Sequence, residues 1–252
     1  MCAMPVCEKD YLTERVVGYW SVIPNVQIHE IMGMAGYQFA IVDLEHGSYS
    51  FQEALESIVA IQFANMDAYI RPSGHDEKEI LRCLELGVQG ICIPHVKNKD
   101  EAIKVVSSCY YPPFGVRGAS GFTRSSHYGN GSFNEHSIKQ NSTINVVLLI
   151  ECFSALENIE EIASVPGVDG IYFGTYDIAS SMGIEQQDSR VVQKAISNAI
   201  ERIAGLSIFT GQVAVDHEQY ANLDPRIKFV PIGVDCGIFL RGAKDNLMKS
   251  LS

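Results

Sequence analysis

The chain has 252 residues, a net charge of −11, 46% hydrophobic and 19% charged residues. Ordinary apolar content with 21 Gly and 9 Pro excludes collagen-like, disordered and disulfide-scaffold classes, and leaves room for one large core or two small ones. An acidic chain without a basic block is a poor partner for nucleic acid or an anionic membrane, whereas a few placed cations and a metal still suit a small anionic substrate.

In chain order, apolar runs alternate with amphipathic segments. Strands are expected at Val16–Val22, Gln38–Asp43, Asp67–Arg71, Gly90–Pro94, Val146–Ile150, Gly170–Phe173, Ser207–Val213 and Lys228–Gly233. These runs are continuous rather than alternating, as strands buried on both faces require. Helical spacing appears over Phe51–Asn65, Glu77–Gly87, Asp100–Ser108, Glu157–Ser164 and Asp188–Gly205. Eight such strands alternating with helices predict a single (β/α)8 TIM barrel over residues 1–252. An open doubly wound sheet competes, but Val22-Ile23-Pro24-Asn25 after the first strand is not a phosphate-binding glycine turn. The segment Tyr110–Gln140, with Arg117 and Arg124, breaks the rhythm after the fourth strand. It is expected to be a lid or active-site loop near the C-terminal face of the barrel.

No run approaches the roughly 20 apolar residues of a membrane helix. No basic segment followed by an apolar one opens the chain, so no signal peptide is expected. The seven cysteines form no Cys-x-x-Cys pair, which suits a reducing compartment, and the cytoplasm is the expected location.

Polar residues gather at the expected C-terminal strand ends, where a barrel builds its active site. Glu151 and Asp177 lie one β/α unit apart, so two carboxylates converge on a hard divalent cation such as Mg²⁺ or Mn²⁺, or Asp177 merely caps a helix. Asp43 and His46 offer an acid beside a candidate base, with His95 as the nearest rival. His29 and His217 fall in expected helices with structural or solvent roles. Arg71 ends the third strand, placed to clamp a carboxylate or to pair with a barrel acid. A metal site, a base and an anion clamp on one face are the equipment for enolate chemistry on a small 2-oxo acid.

The segments Ile41-Val42-Asp43-Leu44-Glu45-His46-Gly47, Tyr111-Pro112-Pro113-Phe114-Gly115-Val116-Arg117-Gly118, Ile150-Glu151 and Val168–Gly183, in this order, resemble the HpcH/HpaI class II metal-dependent 2-oxo acid aldolases nearly end to end. Val230–Asp235 fits that family's last strand. The resemblance implies a (β/α)8 barrel of the phosphoenolpyruvate/pyruvate-binding type. It implies reversible aldol cleavage to pyruvate, or a related 2-oxo acid, and an aldehyde. A homo-oligomer follows from it, a hexamer or trimer of dimers, as does dependence on Mg²⁺, Mn²⁺ or Co²⁺. It assigns Glu151 and Asp177 to the metal, His46 to the base, Asp43 to its support and Arg71 to the oxo-acid and enolate. Gly174 and Thr175 fall in the substrate-contacting turn, and Glu85 matches an acid that reaches a neighbouring active site.

Two positions near the bound oxo-acid depart from the pattern: Leu149 replaces a common Gln, and Thr175 a common Pro. A leucine there leaves a polar partner unpaired unless water or an apolar substrate group intervenes. Alternative readings are a decarboxylase or synthase using the same enolate, or a non-catalytic ligand-binding barrel.

Overall fold

The structure, a computed structural model, describes residues 11–251. Eight parallel strands close into one barrel in sequence order: β1 (Val16–Ser21), β2 (Phe39–Asp43), β3 (Asp67–Arg71), β4 (Gly90–Ile93), β5 (Asn145–Ile150), β6 (Gly170–Phe173), β7 (Phe209–Gln212) and β8 (Ile227–Val234). β1 pairs with β8 to complete the ring. Helices α1 (Val26–Met34), α2 (Phe51–Phe63), α3 (Glu77–Glu85) and α4 (Lys99–Cys109) follow the first four strands. After β5 come α6 (Phe153–Glu157) and α7 (Ile159–Ala163), after β6 α8 (Thr175–Ser181) and α9 (Arg190–Ile203), after β7 α10 (His217–Asn222), and after β8 α11 (Asp235–Leu251). α5 (Phe133–Thr143) lies between α4 and β5.

The continuous apolar strands are buried on both faces because two cores meet on them. Residues such as Val42, Ile70, Ile91, Leu148 and Ile171 pack outward against the helices. Phe39, Ile41, Tyr69, Leu149, Tyr172, Phe209 and Phe229 pack inward. The inner aromatics fit because glycine faces them across the strand register. Gly18 pairs with Phe39, Gly90 with Tyr69 and Gly170 with Phe209. A Cβ at any of these glycines would fall 2.1–2.5 Å from its ring, so each substitution would push the ring out of the close-packed interior.

Short polar caps fix the helix starts at the C-terminal ends of the strands. Ser50 and Glu53 form a capping box on α2, and Asp76 and Asn98 accept backbone N–H bonds from Glu79 and Glu101 at 2.9 Å. These caps hold the loops that carry the site.

Two expectations are corrected. The helix expected at Glu157–Ser164 starts later, as α7: Asn158, at φ −93° and ψ 10°, separates it from α6, to which Glu157 belongs. The segment at 110–140 is not a lid at the C-terminal face. It follows helix α4, not strand β4, so it emerges at the opposite end of the barrel, and from Phe133 onward it is α5. Its arginines tie it there. Arg124 donates to the Leu86 carbonyl at 2.7 Å and to Gln62 Oε1 at 2.5 Å. Arg117 donates to Glu85 Oε1 at 2.9 Å, and the Ser125 N–H to the Glu85 carbonyl at 3.2 Å. Gln62, Glu85 and Leu86 mark the C-terminal ends of α2 and α3.

His29 and His217 sit in α1 and α10. His29 is buried with Nδ1 2.7 Å from the Tyr19 hydroxyl, and burial pushes its pKa down to about 4.

Candidate active site

Asp43 and Arg71 end neighbouring strands and face each other in register. Arg71 Nε donates to Asp43 Oδ1 at 2.8 Å and Nη2 to Oδ2 at 2.5 Å, a bidentate clamp between two buried groups. The guanidinium lies over the Trp20 ring, 4.5 Å from its centroid. Its third nitrogen, Nη1, is 3.0 Å from Glu45 Oε2 and 3.9 Å from Glu151 Oε1. The Glu45 contact has charge but not hydrogen-bond geometry, so Glu45 Oε2 is buried without a hydrogen-bond partner. Burial opposes the charge on Arg71; the hydrogen bond and charge of Asp43, helped by Glu45 and Glu151, outweigh it and raise its pKa.

His95 joins this cluster from the end of β4. Its Nε2 is 2.9 Å from Glu45 Oε1 and its Nδ1 2.9 Å from Glu151 Oε2. Its backbone N–H donates to the same Glu151 oxygen at 2.6 Å, a geometry reached with φ at +55°. A neutral imidazole carries one N–H, so it satisfies only one of the two carboxylates. The other contact calls for a second positive hydrogen or a cation. Burial pushes the Glu151 carboxyl up; the His95 N–H, His95 and Arg71 pull it back without cancelling the rise. One ligand atom from each of Glu45, His95 and Glu151 lies within 4.8 Å of the others. Carboxylate oxygens and an imidazole nitrogen at this spacing, around an unsatisfied buried oxygen, fit a divalent cation.

The turn after β6 completes the rim. The Gly174 N–H donates to the Ile150 carbonyl at 2.9 Å. A Cβ at Gly174 would come 2.7 Å from Glu151 Cγ, so glycine is what lets this turn close on the metal-ligand candidate. Thr175 is buried as the first residue of α8 and lines a polar cleft of about 570 Å³ together with Gln187, Gln193 and Gln212. Asp177, in the same first turn, is exposed.

The sequence-derived candidates are thus partly regrouped. Asp43, Arg71, Glu151 and Gly174 lie in one network. His46 is exposed on the following loop, and Asp43 reaches it through the backbone N–H at 3.2 Å, not the imidazole. Asp43 is therefore the partner of Arg71 first, the ion-pair alternative weighed for that arginine. Leu149 is buried inside the barrel beside Tyr172, its register partner. Beside it the Tyr172 hydroxyl accepts the Trp20 indole N–H at 3.0 Å. Glu85 lies at the other end of the barrel with Arg117. Glu45, Trp20 and Tyr172 carried no assigned role in the sequence reading. Glu45 stood inside the Asp43–Gly47 segment, and Trp20 was detectable as the chain's one tryptophan ending an apolar strand.

The profile of the HpcH/HpaI aldolase/citrate lyase family matches residues 17–241. The chain belongs to this family. It is a class II aldolase, a carbon–carbon lyase. It is 32% identical to the hydroxypyruvate/pyruvate aldolase of Sagittula stellata over 88% of both chains. It is 33% identical to the pyruvate aldolase of Rhizobium etli over 90% of both. The barrel superimposes on an HpcH/HpaI family protein from Burkholderia cenocepacia with a TM-score of 0.87 at 22% identity, covering 95% of each chain. It matches citrate synthase SbnG with a TM-score of 0.84 at 24% identity, over 94% of this chain and 93% of that one, a likeness of fold.

Proposed function

We propose that this rim binds a divalent metal ion through Glu151, a member of the Glu45, His95 and Glu151 group, with Asp177 from the first turn of α8 as a further ligand, and uses it on the enolate of a 2-oxo acid. The lyase makes or cleaves a carbon–carbon bond between that enolate, of pyruvate or a near relative, and an aldehyde. The observation that carries this reading is the charge balance at the β2–β5 ends. Three carboxylates, Asp43, Glu45 and Glu151, face one guanidinium, Arg71. Such a cluster is completed by a cation.

When bound, Mg²⁺, Mn²⁺ or Co²⁺ supplies positive charge to the oxo and carboxylate oxygens as the enolate forms. Arg71, immobilised by Asp43 and Trp20, presents Nη1 to the substrate oxygens and offsets the developing charge. His46, exposed on the loop after β2, takes the proton from the carbon next to the oxo group to form the enolate; in cleavage it takes the proton of the hydroxyl that becomes the aldehyde carbonyl and returns it to the enolate carbon. Gly174 and Thr175 form the wall beside Glu151 against which the substrate rests.

The active form is a homo-oligomer in the cytoplasm. Support for self-association comes from α11, which leaves Phe239, Leu240, Leu247, Met248 and Leu251 exposed. Among the described residues no helix is long and apolar enough to cross a membrane.

The test is calorimetric titration of Mn²⁺ into the wild type, Glu151→Gln and Asp177→Asn. Both variants should remain folded and lose affinity by at least about tenfold, because each loses one anionic ligand. Unchanged affinity in both would overturn the metal assignment.

A further inference from the structure

We infer that Tyr172 is a positioning residue for Arg71, acting through the indole of Trp20. The inference rests on the reading of Arg71 as the contact for the oxo-acid.

Trp20 stands on β1 with its ring inside the barrel, 7% exposed. A buried indole N–H needs an acceptor, and leaving it unmatched costs more than the bond itself contributes. Leu149 on β5 offers none. Its register partner on β6, Tyr172, provides the hydroxyl 3.0 Å from Nε1, and the two rings meet edge to face at 5.6 Å and 79°. Burial pushes the Tyr172 phenol well up, so its hydroxyl stays neutral across the working pH range.

The indole is the surface on which the guanidinium lies. Asp43 fixes the guanidinium along one edge through two bonds. Two bonds along one edge still allow rotation about that edge, and a flat π face beneath the cation removes this freedom. The face does so only while its own plane is fixed. The bond to Tyr172 adds a directional restraint on that plane, which the non-directional ring contacts do not supply. Tyr172 thereby helps set where Nη1 points.

Trp20 is the chain's one tryptophan, so its indole N–H is a single resonance that reports on this contact. The experiment compares wild type, Tyr172→Phe and the double variant Tyr172→Phe/Leu149→Gln, each with Mg²⁺ and pyruvate, with deuterium exchange into the pyruvate methyl group as the turnover that is read. In Tyr172→Phe the indole resonance should shift and its hydrogen exchange accelerate. KM for pyruvate should rise about 2–13-fold, the range of one neutral hydrogen bond, with a smaller change in kcat. The glutamine amide, carried on the paired position of the next strand, should recover most of the KM loss. A shifted indole resonance with unchanged KM would overturn the inference, as would a fall in kcat alone or a double variant no better than the single one. If Mg²⁺ and pyruvate leave the wild-type indole resonance unmoved and no turnover occurs, the reading of Arg71 itself fails and this inference with it. Failure confined to the variants removes the inference alone.

Discussion

The two ends of the barrel use the same device to opposite effect. At the C-terminal rim Arg71 lies 4.5 Å over Trp20 and pairs with Asp43. At the other end Arg117 lies 4.3 Å over Tyr111 and pairs with Glu85. The difference is what else each arginine meets. Arg71 faces two further carboxylates, Glu45 and Glu151, so negative charge is in excess. Arg117 faces one carboxylate, and its Nε and Nη1 are buried without hydrogen-bond partners. The rim holds a surplus of acceptors ready for a cation; at the opposite face one arginine meets one carboxylate, and the pair pins the long segment at 110–140 to α3. A buried arginine on an aromatic ring is thus not in itself a functional sign. The charge balance around it separates the two roles.

The largest effect expected from breaking this contrast is at the rim. His46→Ala should lower turnover about 10²–10⁴-fold, the usual contribution of a positioned base. Its metal affinity should match the wild type by calorimetry. If His95→Ala abolishes turnover with metal affinity intact while His46→Ala leaves turnover unchanged, the base is the histidine inside the carboxylate cluster.

Next in size is the Arg117–Glu85 pair. Arg117→Met leaves the partly buried Glu85 without its cation and should cost about 1–3 kcal/mol of stability. Urea unfolding of the metal-free protein measures it. A loss below about 1 kcal/mol would mean that water compensates Glu85 and that this end is not the rigid one.

The smallest effect is a pH slope. A carboxyl whose folded pKa lies above its unfolded value favours the folded state below that folded pKa, and loses this contribution as pH rises through it. Burial gives Glu151 this behaviour. Glu151→Gln keeps the shape without the charge, so in metal-free protein its unfolding midpoint should gain on the wild type as pH rises from about 4 to 7. A gap that stays constant over this range would show that Arg71 and His95 fully offset the burial of that charge.

The sequence made the barrel legible because each strand is an unbroken apolar run, and runs such as Asp67–Arg71 and Gly170–Phe173 coincide with the observed strands. α5 was not legible. None of its residues is buried, so Phe133–Thr143 carries no apolar stripe to mark it. The candidate network was legible where its members stand singly at strand ends, as Asp43, Arg71 and Glu151 do. It was illegible where the role lies in a meeting of distant strands. Trp20 and Tyr172 are 152 residues apart, and only barrel closure joins them. The bridge of His95 between Glu45 and Glu151 depends on a left-handed backbone at His95, which no local pattern announces. The lid expected at 110–140 failed because the helix preceding it, Lys99–Cys109, turns the chain to the other face.

The central claim is that the rim's surplus of carboxylates holds a divalent ion and stabilises a 2-oxo acid enolate. The most direct test is deuterium exchange into the methyl group of pyruvate in deuterated water, followed by NMR, without aldehyde and with Mn²⁺, Mg²⁺ or Co²⁺ supplied and then chelated. The account predicts exchange by the wild type that stops on chelation and is lost in Glu151→Gln. Wild-type protein that exchanges no deuterium with any of the three ions, or a Glu151→Gln variant that exchanges as fast as wild type, would contradict it.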